Sequence, residues 1–202
     1  MAVVTPKMIG ARVKRREDPR LIQGKATYVD DIKLPGMLHM AFRRSDVAHG
    51  IIKSIDVSAA AAMPGVELVI TGAELKEFLP PMPIGTPFPS PDHYSVAVDR
   101  VRYQGEPIAV VIATDRYLAR DAADAIVVDI EQLPAVIDPE KAMTGQPGVI
   151  HEAFPNNLAV PYVPGGTGFD PVAGTVDNTA VDKAFAEADF VLSQRMLNQR
   201  LA

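Results

Sequence analysis

Apolar positions divide the chain into short extended runs separated by still shorter helical ones. Residues 37–44 (MLHMAFRR) and 50–57 (GIIKSIDV) alternate imperfectly between apolar and polar, the pattern of half-buried strands, and Ser45 to His49 suits a hairpin-like loop between them. Ser58 is placed to cap an alanine-rich helix over residues 59–63, which Pro64 and Gly65 stop before residues 66–71 (VELVIT) resume a strand. Residues 72–78 read as another brief helix. Prolines at 80, 81, 83, 87, 89 and 91 then remove amide donors, so residues 79–92 form a surface loop or strap without regular structure.

Residues 108–113 (IAVVIA), introduced by Pro107, are uninterruptedly apolar, as expected for the central strand of a sheet covered on both faces. Thr114 or Asp115 can cap the helix that follows to Ala125, and its Leu118, Ala119 and Ala122, with Ile126, recur at the three- and four-residue steps of a face packed on that sheet. Residues 126–131 (IVVDIE) form the next strand. Two strand, helix, strand units predict an α+β or mixed α/β domain: a mixed sheet with helices on its face. After Asp138 the texture changes. Residues 144–178 are rich in Gly, Pro, Asn and Thr and are expected to be a long connection lying over a partner surface. A helix over 177–188, with Val181, Ala184, Phe185 and Ala188 on one side, leads to residues 190–201, which alternate like a strand and imply a continuation beyond Ala202. The expected organisation is an arm (1–17), an α/β domain (18–140), an extended linker (141–178) and a helix and strand opening a further domain (179–202).

Composition narrows the chemistry. The 202 residues are 48% hydrophobic and 22% charged, enough apolar material for a real core, and none is cysteine. Disulfides, thiolate zinc sites, iron–sulfur ligation and cysteine nucleophiles are thereby excluded for this chain. Twenty basic residues against 25 acidic ones give a net charge of −5, which disfavours nucleic acid as a partner. The densest basic group, Lys14, Arg15, Arg16 and Arg20, adjoins Glu17 and Asp18 and reads as a solvated arm. No apolar run is long enough for a signal peptide or a membrane span, so a soluble, cytoplasmic protein is expected.

Four histidines, His39, His49, His93 and His151, are widely separated, without the local spacing of metal ligands. Asp30 and Asp31, as neighbours in an extended segment, would point to opposite sides, so turn or cap duty is expected of them. Gly165, Gly166 and Gly168 lack the strand and helix of a phosphate-binding loop, and no Gly-x-Ser-x-Gly elbow is present. Residues 102–107 (RYQGEP) differ in kind. Gly105 supplies backbone freedom, Pro107 fixes where pairing begins, and Glu106 either accepts backbone amides at a sheet corner or contacts a substrate. Arg44, Ser45 and His49 either bond a neighbouring domain or shape their own turn.

The strings RREDPRLIQGKATYVDDIKLPGMLHMAFRRSDVAHGIIKSIDVSAA, MPGVELVITGAEL and DRVRYQGEPIAVVIATDRYLARDAADAIVVDIEQLPAVID resemble the N-terminal region of the molybdenum-containing large subunit of the xanthine dehydrogenase and aldehyde oxidase family, in its carbon monoxide dehydrogenase-like branch. The resemblance runs from Val13 to Ile137 and resumes at AEADFVLSQRMLNQRLA, which is similar to the strand opening the molybdopterin-binding domain. It implies the α/β hammerhead fold. It also implies a complete enzyme that oxidises a small carbon centre with water as oxygen source, using a molybdenum-pterin cofactor in its dinucleotide form. Iron–sulfur and FAD-carrying subunits would be its partners, together with the remainder of the large subunit. The catalytic and cofactor-binding segments of that family lie after the hammerhead, so no catalytic, cofactor-binding or metal-binding residue carries over. Arg44, Ser45, His49, Gly105, Glu106, Pro107, Gln199 and Arg200 are left as interdomain or structural contacts. The expectation is a scaffold, catalytic only with the rest of the subunit. The rival is a separately encoded, non-catalytic hammerhead protein that docks to a molybdenum subunit. An independent enzyme built on Glu106 is a third reading.

Overall fold

Seven residues, Pro107–Ala113, organise the structure, a computed structural model that describes residues 12–83, 90–159, 167–170 and 175–196. The chain divides into two units, residues 1–38 and 39–202. In the first, helix α1 (Asp18–Ile22) is followed by a single 3-10 turn, Val29–Asp31, and neither holds a buried residue. Asp30 and Asp31 therefore lie in a turn, not in the extended segment expected of them; Asp31 accepts the Tyr28 amide at 2.9 Å, the cap duty the sequence suggests.

The second unit begins with β1 (His39–Arg44), β2 (Gly50–Asp56), α2 (Ser58–Ala61), β3 (Val66–Thr71) and α3 (Gly72–Leu75). It continues with β4 (Arg100–Val101), β5 (Pro107–Ala113), α4 (Arg116–Asp124), β6 (Val127–Gln132) and α5 (Pro139–Ala142). Two short strands, β7 (Thr167–Asp170) and β8 (Thr175–Asp177), and helix α6 (Thr179–Ala186) close the described chain. The strands form sheets in the orders β1-β5-β3 and β4-β2-β6, with β7-β8 apart.

The mixed α/β make-up agrees with the expectation, and among the described residues every strand pair is antiparallel, so the strands form small antiparallel sheets with helices packed on them. Both strand, helix, strand units exist, but α2 and α4 each carry the chain from one sheet to the other, so no parallel neighbours arise. The expected hairpin at residues 45–49 is absent for the same reason: β1 pairs with β5, whereas β2 pairs with β4 and β6. A register shift at Arg43/Arg44 turns the chain out of the first sheet.

β5 is central, as its composition predicts, but only one face of it is covered along its whole length. Ala109 and Val111, with Ala41 of β1 and Val69 of β3, pack under Ala122 and Ala123 of α4 and under Ile126. The alanines let the helix approach the sheet closely. Ile108 on the opposite face meets Ala97 and Val101 and joins this sheet to the second one through Ile52 and Ile130. At the far end of that face cover is lacking, and Met40 and Leu68, both paired with Ile112, are 60% and 46% exposed.

Local signals are used with one change. Asp115, rather than Thr114, caps α4 by accepting the amides of Tyr117 at 2.7 Å and Leu118 at 3.1 Å. Ser58 caps nothing: it is the first residue of α2, and its amide donates to Asp56 at 2.9 Å. Residues 190–196 form no strand, contrary to the alternation in the sequence, because a strand is defined by a ladder partner and none of the described residues supplies one. Among the described residues no helix is long and apolar enough to cross a membrane.

Candidate functional site

Two loops that the sequence singles out separately, 44–49 and 102–107, meet at the corner where β1 ends and β5 begins. The Ser45 amide donates to the Glu106 carbonyl at 2.9 Å, and the Gly105 amide returns a bond to the Ser45 carbonyl at 2.9 Å. Arg44 reaches across to the Gly105 carbonyl at 2.8 Å while its guanidinium lies over the Phe42 ring. Gly105 has φ +86°, a conformation that a side chain would strain, and it lets the turn present both its amide and its carbonyl to the opposing loop. Pro107, which has no amide, sits opposite Arg44 at the register shift.

Ser45, His49 and Glu106 are the three buried polar side chains of the described structure. Ser45 Oγ donates to the Val47 carbonyl at 2.7 Å, shaping its own turn. His49 Nδ1 lies 3.0 Å from the Pro134 carbonyl, and its own carbonyl accepts the Leu133 amide at 2.9 Å, tying the turn to the exit of β6. The other ring nitrogen, Nε2, is buried without a partner. The Glu106 carboxylate accepts the Arg102 amide, so it acts as a backbone acceptor at the sheet corner. Burial pushes its pKa up, and the Arg102 amide and guanidinium partly offset that. Gln199 and Arg200 lie outside the described residues.

A second constellation was missed by sequence reasoning. Arg100 and Arg102 flank the buried Val101 and line a groove of about 330 Å³ together with Lys76, Asp92, Tyr94, Asp99, His151 and Glu152. The alternation Arg-Val-Arg was the one available signal, since it places two guanidiniums on one side of a strand. His151 comes from the Gly- and Pro-rich stretch and could not have been assigned to the groove by periodicity. Asn157 at φ +55° holds that stretch in shape: its side-chain Nδ2 donates to the carbonyls of Ala142 at 3.0 Å and Gly148 at 2.9 Å, and its side-chain oxygen accepts the Ile150 amide at 2.9 Å. What composition describes as a loose connection is thus folded locally over residues 142–157.

Within the groove Arg100 donates to Glu152 at 2.9 Å, and Arg102 bonds the Arg100 carbonyl at 3.2 Å and lies 3.9 Å from Asp99. Arg102 Nε is buried without a partner. Burial lowers the pKa of His151, and the positive charges of Arg102, His93 and Arg100 lower it further, against an opposing pull from Asp92. Among the described residues no three His, Asp or Glu side chains gather where a metal could sit.

Comparison with known proteins places this architecture. The family described as "Aldehyde oxidase and xanthine dehydrogenase, a/b hammerhead domain" matches residues 23–134, which contain both three-stranded sheets, α4 and the corner of Ser45 and Glu106. The chain belongs to this family. The hammerhead chain is 40% identical over 193 residues to the carbon monoxide dehydrogenase large chain of Hydrogenophaga pseudoflava, covering 94% of itself and 24% of that protein. It is 39% identical over 199 residues to the 6-hydroxypseudooxynicotine dehydrogenase complex subunit gamma of Paenarthrobacter nicotinovorans, covering 95% of itself and 23% of that subunit. Among solved structures, a Cu,Mo-CO dehydrogenase in its carbon monoxide reduced state matches with a TM-score of 0.58 and 45% identity, over 68% of the hammerhead chain and 17% of the other. The chain therefore spans about a quarter of the length of these curated relatives.

Proposed function

We propose that the chain is the hammerhead portion of the large subunit of a molybdenum hydroxylase, and that it serves there as framework. In this reading residues 18–140 form the hammerhead, 141–178 connect it onward, and 179–202 lead into the domain that follows, with 1–17 as an arm. The complete cytoplasmic enzyme oxidises a small carbon centre with water as oxygen source, and iron–sulfur and FAD subunits accept the electrons. A molybdenum-pterin, in its dinucleotide form, belongs to the remaining three-quarters of the subunit. The described residues do not fit the metal of that group: among them no His, Asp or Glu trio converges to hold one. Arg44, Ser45, His49, Gly105, Glu106 and Pro107 stiffen the corner against which neighbouring domains rest, and Gln199 and Arg200 contact the domain that follows.

The observation carrying this reading is that nearly the whole chain aligns with dehydrogenase subunits about four times its length, one relative being named for carbon monoxide and another for 6-hydroxypseudooxynicotine. A framework common to such different substrates does not choose among them. The test is complementation. The 202-residue chain alone should show no dehydrogenase turnover with carbon monoxide, an aldehyde or a purine. Co-expression with the remainder of the large subunit and its partner subunits should give turnover of one of them. Measurable turnover by the purified chain alone would refute the framework reading.

A further inference from the structure

We infer that the groove between residues 92–102 and 150–153 is a receptor for a small oxyanion, tetrahedral or carboxylate, gripped by Arg102 and Arg100 with His151 beside them. The argument begins with unused donors. A guanidinium carries five N–H groups in a fixed fork and is most strongly satisfied by the paired oxygens of a carboxylate or tetrahedral anion. Arg102 spends one nitrogen on the Arg100 carbonyl at 3.2 Å, holds Asp99 only at 3.9 Å and has a buried Nε with no partner, although its side chain is just 25% exposed. Glu106 beside it accepts the Arg102 backbone amide and not the guanidinium, so guanidinium N–H groups are left for an oxyanion in the adjoining space, whose binding offsets the cost of the incompletely paired charge.

The second strand of the argument is electrostatic. Arg102 and Arg100 both line the groove and act on His151 as positive charge, so an anion entering it meets two guanidiniums. Carboxylates also stand near these cations, Glu106 beside Arg102 among them. Glu152, which pairs with Arg100, is 82% exposed, Asp99 is 78% exposed, and Asp92 lines the groove and opposes the guanidiniums at His151. Lys76 is turned onto the Tyr94 ring, 5.4 Å from its centre, and stands at the margin. The groove's volume of about 330 Å³ accommodates such an anion with several waters. By reciprocity, an anion that binds beside His151 must make the protonated imidazole easier to form.

The experiment uses the full 202-residue chain, with sulfate and acetate as probes and chloride at matched ionic strength as the control. The two probes separate tetrahedral from carboxylate recognition. His151, assigned by comparison with His151→Gln, is titrated by NMR. Sulfate or acetate should raise its midpoint saturably and shift the Arg102 Nε resonance, and chloride should not. Arg102→Gln should weaken the effect at least about tenfold, as loss of a charge-assisted pair requires. Arg120→Gln, which removes an exposed cation paired with Asp124 on α4, should leave it unchanged. If Arg102→Gln does not fold, Arg100→Gln answers the same question. A midpoint that moves equally in all three salts, or equally in the Arg102 and Arg120 variants, overturns the inference. Neither result bears on complementation, so failure here and failure of the framework reading are distinguishable.

Discussion

The strand Pro107–Ala113 and the tail from Phe190 to Met196, which opens on the apolar run Phe190, Val191 and Leu192, are opposite in fate. In β5, Ile108, Ala109, Val111 and Ala113 are wholly buried, whereas Phe190, Val191, Leu192 and Met196 are 79%, 51%, 75% and 83% exposed. The difference lies in the partners. β5 has a strand on each side and a helix across one face, while residues 190–192 share a shallow apolar groove with Ala184, Phe185 and Ala188 and pair with no strand among the described residues. Burial of an apolar side chain is worth roughly 25 cal/mol per Å² removed from water, and the tail collects little of it. Hydrophobicity states a demand, and the surrounding chain decides whether that demand is met.

The sharpest way to break this comparison is to attack β5. Val111→Asp places a carboxylate beneath α4, where nothing can solvate or pair it, and should destabilise the second unit by more than about 4 kcal/mol. Loss of the cooperative urea transition in circular dichroism is the expected outcome. An unchanged midpoint would show that the core is not centred on this strand.

Next comes close packing at the border of β3. A Cβ on Gly72 would collide with the backbone carbonyl of Ala97, an atom that cannot swing aside as a side chain can. Gly72→Ala should cost about 1–3 kcal/mol, read as a lowered melting temperature. A smaller effect is expected from Asp115→Ala, which removes the acceptor for two free amides of α4 and should cost about 1 kcal/mol by urea titration.

Glu106 adds a pH signature to the same core. Its pKa is raised in the folded state, first by burial, so the folded chain holds this proton more tightly than the unfolded one does. The linked contribution is present below the unfolded carboxylate pKa and is lost as pH rises through the folded value. Glu106→Gln keeps an oxygen for the Arg102 amide and removes the ionisable group. Its stability relative to wild type should therefore rise with pH across and just above the ordinary carboxylate range, then level off. Urea midpoints of the two proteins between pH 4 and pH 8, about the span that covers a raised carboxyl, would show this; parallel profiles would exclude burial as the dominant influence.

Much of this arrangement was legible in the chain, for reasons that differ by element. β5 and α4 announce themselves because buried composition and helical spacing are local properties, and Asp115 is a cap wherever the helix packs. The division of the strands into two antiparallel sheets was not legible, because β2 and β6 read alike whether they lie beside β5 or across from it. At the sheet corner, Arg44, Ser45, Gly105 and Glu106 stood out individually, but their mutual bonds are long-range facts. The groove was less legible still: His151 reaches Arg102 only through the turn that Asn157 holds, and no period in the sequence encodes that.

The smallest expected effect completes the comparison from its other side. Phe190→Ser removes a large aromatic side chain, a change that typically costs several kcal/mol in a core. At 79% exposure it has little burial to lose, so the chain should retain its urea midpoint to within about 0.5 kcal/mol. The same substitution made in the assembled enzyme separates two explanations of the exposed face. If the remainder of the subunit covers residues 190–192, Phe190→Ser should weaken its association with the 202-residue chain in the complementation experiment while leaving that chain's own melting unchanged. Loss of stability in the chain alone would mean that the tail already belongs to its core, and the contrast with β5 would fail.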